Sequence, residues 1–235
     1  MSLYVAIEAS SATYAVAVSG PGVTYTERLC HRGDPSFAGL GQLTASLLDD
    51  VGGKFDGIEL VGVDVGPGNL SSVRSAVAYA NGLAFSLGIE VLPVGSLELM
   101  AVGVWEAQTG PVLCLRKGEG GNAYAGLFVD HRTVGMCYGP LSVIVTELAG
   151  DLAEVSVAGA HRLETADLLP GVLVHDSGIE APSVLTLYQA MLAPREGNHP
   201  VAFASPVNEA SQVFHERPRD GARGRVAEVL PAPPS

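Results

Sequence analysis

The chain has 235 residues, of which 47% are hydrophobic and 16% charged, and its net charge is −12. That length supports one large α/β domain or two smaller ones with a sizeable core. The acidic balance disfavours independent binding to a polyphosphate, because affinity for nucleic acid comes largely from Lys and Arg neutralising phosphates.

A role with RNA would therefore run through a partner. The local exception is Arg217, Arg219, Arg223 and Arg225 near the C-terminus, in a segment rich in Arg, Gly, Ala and Pro. Such charge runs usually form solvated tails, and residues 217–235 are expected to be disordered. Cys30, Cys114 and Cys137 are odd in number and widely spaced, without a C-x-x-C. Buried free thiols in a reducing cytosol follow, and the chain is read as cytoplasmic. The opening MSLYVAIEAS lacks the charged and apolar regions of a signal peptide. Residues 70–87 are apolar in bulk but carry Arg74, Asn81 and several serines, which argues against a membrane span.

In chain order, residues 3–7, 14–19 and 23–29 read as strands, with Gly20-Pro21-Gly22 as a turn. Residues 37–51 place apolar side chains at helical spacing, with Asp34-Pro35-Ser36 as the start and Gly52-Gly53 as the stop. A buried strand over 58–65 runs into Gly66-Pro67-Gly68, and a long helix follows to Leu87, capped by Asn69 or Ser71. Residues 89–94 read as a strand, and Ser96 as the cap of a helix over 97–107. Beyond Pro111, strands are expected over 112–115, 123–129, 133–138, 154–159 and 172–175, with helices over 141–149 and 184–193. The pattern predicts an N-terminal α/β lobe over 1–108 and a C-terminal α/β lobe over 109–216. No short-period repeat is evident.

Few constellations carry chemistry. The segment Glu8-Ala9-Ser10-Ser11-Ala12-Thr13 offers hydroxyls and backbone N–H groups suited to a phosphate, and one carboxylate that could face a metal; it is equally an ordinary hydroxyl-rich hairpin turn. Gly66-Pro67-Gly68-Asn69-Leu70-Ser71-Ser72 opens a helix, where an anion could bind. It is neither a Walker A loop nor G-x-G-x-x-G, because Ser71 stands where the third glycine belongs. Ala76, Ala80 and Ala84 lie four apart on one helix face, flanked by Val73, Val77 and Leu83. Between Val65 and Ile89 the only formal charge is Arg74. A helix so poor in charge needs cover on nearly all sides, from its own core or from another protein. The six histidines form no H-x-x-x-H or H-E-x-x-H pair, and no G-x-S-x-G is present, so neither a local metal pair nor a protease signature is found.

These residues resemble a family. YVAIEASSATYAVAVSG resembles the first hairpin of TsaB-type (YeaZ) proteins, and VDVGPGNLSSVRSAVAYANGLAFSLGIEVLPVGSLELMA resembles their GPG helix, following strand and G-V-S-x-L helix. Gly66, Pro67, Gly68, Val73 and Arg74 match, and RKGEGGNAYAGLF resembles their R-x-G-E-V-Y segment at Gly118, Glu119 and Tyr124. The resemblance implies a two-lobed actin-like ATPase fold of the ASKHA, ribonuclease H-like class. It implies a non-catalytic scaffold and activator in the complex that forms threonylcarbamoyladenosine beside the anticodon of tRNAs reading ANN codons. The implied partners are TsaD as a heterodimer and the ATPase TsaE. A homodimer is open to the chain in isolation, and tRNA is reached only indirectly. The implied interface lies on residues 37–51 and 71–87, through Leu40, Leu43, Leu47, Val73, Arg74, Ala76, Val77, Ala80, Asn81 and Ala84. A weak nucleotide site is implied at Glu8, Ser10, Ser11 and Thr13. No cofactor would be bound tightly, with ATP or ADP and Mg²⁺ as ligands the complex could hold. The chain departs from the family at Glu8, where the family has Asp, and at Asn69-Leu70-Ser71-Ser72. The family's C-terminal P-x-Y-x-R is reduced to Ser205-Pro206-Val207-Asn208, and the H-x-x-x-H pair of catalytic TsaD is missing. The alternative is an autonomous actin-fold ATP-dependent kinase or ATPase, using Asp64 or Glu8 as the strand-end carboxylate such chemistry needs.

Overall fold

Short apolar runs broken by Gly and Pro, alternating with helical spacings, dictate sheets covered by helices. The computed structural model describes residues 2–20, 22–192 and 199–214. The chain divides into two units, one of Met1–Leu99 with Pro182–Asn208 and one of Met100–Ala181 with Glu209–Ser235.

The first unit holds β1 (Leu3–Glu8), β2 (Thr13–Gly20), β3 (Val23–His31), α1 (Leu40–Asp50), β4 (Ile58–Asp64), α2 (Leu70–Leu87) and β5 (Val91–Val94). α3 (Ser96–Trp105) starts in this unit, and the division falls inside it. The five-stranded sheet runs β3-β2-β1-β4-β5, antiparallel across β1, β2 and β3 and parallel across β1, β4 and β5. Strand alternation splits the core in two. Leu3, Val5, Ile7, Val16, Val18, Val61 and Val63 meet Leu47 and Leu48 of α1 and Val73, Ala76, Val77, Ala80 and Ala84 of α2. The opposite face carries Ala6, Ala15, Ala17, Leu92 and Val94, which meet α6 (Val184–Leu192). Ala6, Ala15, Ala17 and Gly62 are small there, so that α6 can approach. A Cβ placed on Gly62 would stand 2.4 Å from the Met191 sulfur.

The chain then returns along this unit as a strap. Val201 and Val91 exchange backbone hydrogen bonds of 2.9 and 2.8 Å, and Val207 N–H donates to the Val65 carbonyl at 2.7 Å. The Asn81 side chain accepts from Ala204 N–H at 2.9 Å and donates to its carbonyl at 3.0 Å.

The second unit holds β6 (Val112–Lys117), β7 (Asn122–Val129), β8 (Arg132–Pro140), α4 (Leu141–Ala149), β9 (Glu154–Gly159), α5 (Thr165–Leu168) and β10 (Leu173–Asp176). Its sheet runs β8-β7-β6-β9-β10, which is the path of the first sheet repeated strand for strand. Ile144, Val145 and Leu148 of α4 close its core over Leu113, Leu115, Leu127, Val155 and Val157. The duplication lives in topology, which is why the sequence shows no short-period repeat. Tyr124 of β7 is buried, sets its ring at a tilt to those of Tyr138 and Phe214 at 4.7 and 5.1 Å, and donates its hydroxyl to Glu209 at 2.9 Å.

Several boundaries differ from the sequence expectation. α1 begins at Leu40 rather than at residue 37, because Asp34 folds onto Ser36 N–H and Oγ at 2.8 and 2.7 Å and Phe37 stacks on Tyr14 at 4.4 Å. Gly39, at φ 113, then admits the helix. Ser96 is the first residue of α3 and not its cap, since its hydroxyl is directed at Asp64. The first unit stops at Leu99 rather than at 108, and residues 182–208 join it instead of the second. The Arg-rich tail at 217–235 lies outside the described residues. The three cysteines are buried and free. No helix of the described residues is long and apolar enough to cross a membrane.

Replacing Asn81 by Ala leaves the buried Ala204 amide without either bond. Stability should fall by about 1–3 kcal/mol, read as a lower urea midpoint, with faster proteolytic cleavage within 199–208. An unchanged midpoint would show that the Asn81 clamp carries no weight.

Candidate functional site

β1 and β4 lie side by side and parallel, with Ile7 opposite Val63. Each ends in a carboxylate, Glu8 and Asp64, and both are essentially inaccessible, at 1% and 0% exposure. A buried carboxylate needs donors. For Glu8 they come from the turn that follows it. Oε1 accepts from Ser10 N–H at 2.6 Å, Ser10 Oγ at 2.8 Å and Ser11 N–H at 3.3 Å, and Oε2 accepts from Ser11 Oγ at 3.0 Å. Thr13 stands at the margin, its hydroxyl 3.5 Å from that of Ser11. For Asp64 they come from further along the chain. Ser96 Oγ donates to both oxygens at 2.6 and 2.9 Å, and Gly66 N–H donates at 2.8 Å.

Two further bonds lock the loops together. Asn69 N–H donates to the Ser10 carbonyl at 3.0 Å, and Ser96 N–H to the Gly66 carbonyl at 2.8 Å. Arg32, just past β3, donates through its guanidinium to the Ser11 carbonyl. Burial, and then the Asp64 charge, push the Glu8 carboxyl up to about 7 against the pull of the Ser10 and Ser11 hydrogen bonds.

The residues named for nucleotide contact are thus brought together, but their donors converge on Glu8 rather than on open space. The Glu8–Asp64 neighbourhood was legible only as two separate strand-end acids. Ser96 was legible as a serine after a strand, yet nothing local pointed it at an acid 32 residues earlier.

The interface residues are distributed otherwise than expected. Leu40, Leu47, Val73, Ala76, Val77, Ala80 and Ala84 are buried in the first unit's own core, and Leu43 packs against it. Asn81 is committed to Ala204. Of the ten, Arg74 alone is exposed. The alanine stripe is therefore the sheet-facing side of α2. Its outer side presents Ser71, Arg74, Ser75, Ala78, Gly82, Phe85 and Ser86. Asn69 caps this helix by accepting from Ser72 N–H at 3.2 Å, and Gly88 ends it at φ 68. Phe85 is 77% exposed and stacks with Phe203, itself 62% exposed, at 6.4 Å.

The family model for TsaD, tRNA N6-adenosine threonylcarbamoyltransferase, matches residues 38–147. A crystal structure of an uncharacterized Pseudomonas aeruginosa protein with similarity to peptidase YeaZ superposes with a TM-score of 0.71 at 22% identity, covering 88% of this chain and 99% of that one. YeaZ from Pseudomonas aeruginosa gives 0.70 at 22% identity, covering 88% and 100%.

The likeness to these structures is one of fold: two units, each built on a five-stranded sheet of the same strand order. The chain is thus similar in fold to YeaZ and carries a TsaD-type sequence over residues 38–147.

The sequence resemblance implies a nucleotide with Mg²⁺, and the residues of the turn do not fit one. The turn's donors are spent on Glu8, and a phosphate arriving there would meet two buried acids. Among the described residues, no group of three or more His, Cys, Asp and Glu is placed to hold a metal.

Glu8 also links stability to pH. Its folded value of about 7 lies above the ordinary 4.5, so the folded state holds the proton more tightly. This contribution is complete below about pH 4.5 and is lost as pH rises through about 7. The facing titratable group is Asp64; Ser10, Ser11 and Ser96 are neutral. Urea unfolding at about pH 5 and about pH 8 should show a loss on the order of 3 kcal/mol in the wild type that Glu8→Gln removes. Equal slopes in the two proteins would contradict it.

Proposed function

We propose that this chain is the non-catalytic scaffold and activating subunit of the complex that forms threonylcarbamoyladenosine in tRNAs reading ANN codons. It docks on a TsaD-type transferase in the cytoplasm, with the ATPase TsaE as a further member and tRNA reached through the partner. The family model supports the pathway, and the absence from the sequence of the His pair of catalytic TsaD supports the scaffold role.

The observation that carries the docking is Gly82. It lies inside an 18-residue helix, on the exposed side, where a Cβ would meet nothing within 4 Å. Glycine at such a position costs roughly 0.5–1 kcal/mol relative to Ala, and no described residue packs against it. A residue this small leaves room for a second helix to approach closely. Gly82 is flanked on this face by Ala78 and Phe85, so a small-residue track ends at an exposed aromatic ring. Rigid aromatic side chains of this kind anchor interfaces.

This reading puts the interface on the outer side of α2. Ala80→Arg would bury a charge at a site with 0% exposure and unfold the unit instead of reporting on docking. The informative variants are Ala78→Arg and Phe85→Ala. Each should abolish co-purification with the cognate TsaD while altering stability by less than about 0.5 kcal/mol, as surface changes do. Gly82→Ala should stabilise the free chain by about 0.5–1 kcal/mol and weaken the complex. Wild-type co-purification of both Ala78→Arg and Phe85→Ala would place docking elsewhere. If the free chain forms a homodimer through this face, the same variants should dissociate it.

A further inference from the structure

The turn after β1 has the composition of a phosphate cradle, with two serines, a threonine and successive N–H groups between two strands. Its geometry is that of a cage closed around one side chain. Ser10 and Ser11 each commit an N–H and a hydroxyl to the Glu8 carboxylate. Ser10 is 2% exposed, so the cage faces inward. Its outer carbonyl, on Ser11, takes the Arg32 guanidinium, and its inner carbonyl, on Ser10, takes Asn69 N–H from the Gly66-Pro67-Gly68 turn. Behind Glu8 stands Asp64, wholly buried, whose own acceptors are filled by Ser96 and Gly66.

The geometry points to a turn sealed from within: the Glu8 carboxylate stands in for a nucleotide phosphate, and this chain excludes nucleoside di- and triphosphates from the phosphate turn of its fold. A phosphate brings about two negative charges at neutral pH. To enter, it would have to displace a carboxylate already held by four donors, and then sit beside two acids in a low-dielectric interior where like charges repel strongly. Nor is the nearby cation aimed at such a ligand, since the Arg32 guanidinium is directed at a main-chain oxygen. The inference goes beyond the scaffold reading and stands independently of where, or whether, a partner docks.

The test uses the full chain at about pH 8, above the Glu8 value of about 7 so that its charge is present, and the backbone amide resonances of Ser10 and Ser11. Mg-ATP, Mg-ADP and inorganic pyrophosphate are titrated separately to millimolar concentration. In the wild type both amides should stay in place. In Glu8→Gln the charge is gone while the shape is kept, and both should move saturably with pyrophosphate or nucleotide, with affinity at least about tenfold above the wild type. Saturable movement of both amides in the wild type overturns the proposal. So does a folded Glu8→Gln protein in which both remain still. Should Glu8→Gln not fold, the wild-type titration decides: movement of both amides refutes the seal, and silence supports it.

Discussion

Two carboxylates buried at the ends of adjacent parallel strands impose the strictest condition on this molecule. An uncompensated buried charge costs several kcal/mol, so the chain has to deliver donors to Glu8 and Asp64. It delivers them from three places: the β1–β2 turn, the Gly66-Pro67-Gly68 turn and the first residue of α3. Meeting that condition determines where three loops sit. Asn69 N–H on the Ser10 carbonyl joins the first two, and Ser96 N–H on the Gly66 carbonyl joins the second to the third. Asn69 is then in place to cap α2, so the start of the longest helix follows from the placement of two acids.

α2 has two sides that composition scarcely distinguishes. Against the sheet it sets Val73, Ala76, Val77, Ala80 and Ala84, and the bulk on that interface comes from the strands. Toward solvent it sets Ala78, Gly82 and Phe85 beside Arg74 and two serines. Small residues on the inner side let helix and sheet approach closely. Among the described residues, nothing packs on the small outer residue Gly82, and that asymmetry underlies the docking proposal. The turn after β1 is likewise occupied from within, its serine donors directed at the Glu8 carboxylate.

Much of the architecture was readable along the sequence. The strand at 154–159 and the helix at 141–149 appear with those bounds, and the Gly66-Pro67-Gly68 strand-to-helix passage and its Asn69 cap are where local chemistry puts them. Errors came where a side chain's partner is not the one its local chemistry suggests. Ser96 has the chemistry of a cap but spends its hydroxyl on Asp64. Asp34 has the chemistry of a helix start but closes a turn on Ser36 three residues before Gly39. The Ala76, Ala80 and Ala84 spacing identified a helix face correctly and assigned it to the wrong neighbour, since periodicity reports that residues share a side and not what lies opposite.

Local order, then, was written in the residues: period two for strands, three to four for helices, Gly and Pro between them, and a turn dense in hydroxyls after Glu8. Three-dimensional packing alone chose the inward side of α2, brought Glu8 beside Asp64, returned residues 199–208 to the first unit through Asn81, and turned the serines of a seeming ligand loop onto an internal acid. The physical reason is range. Torsional preference and side-chain spacing act over a few residues, whereas burial and charge compensation are settled between segments tens to more than a hundred residues apart, by whichever arrangement leaves no buried polar group unmatched.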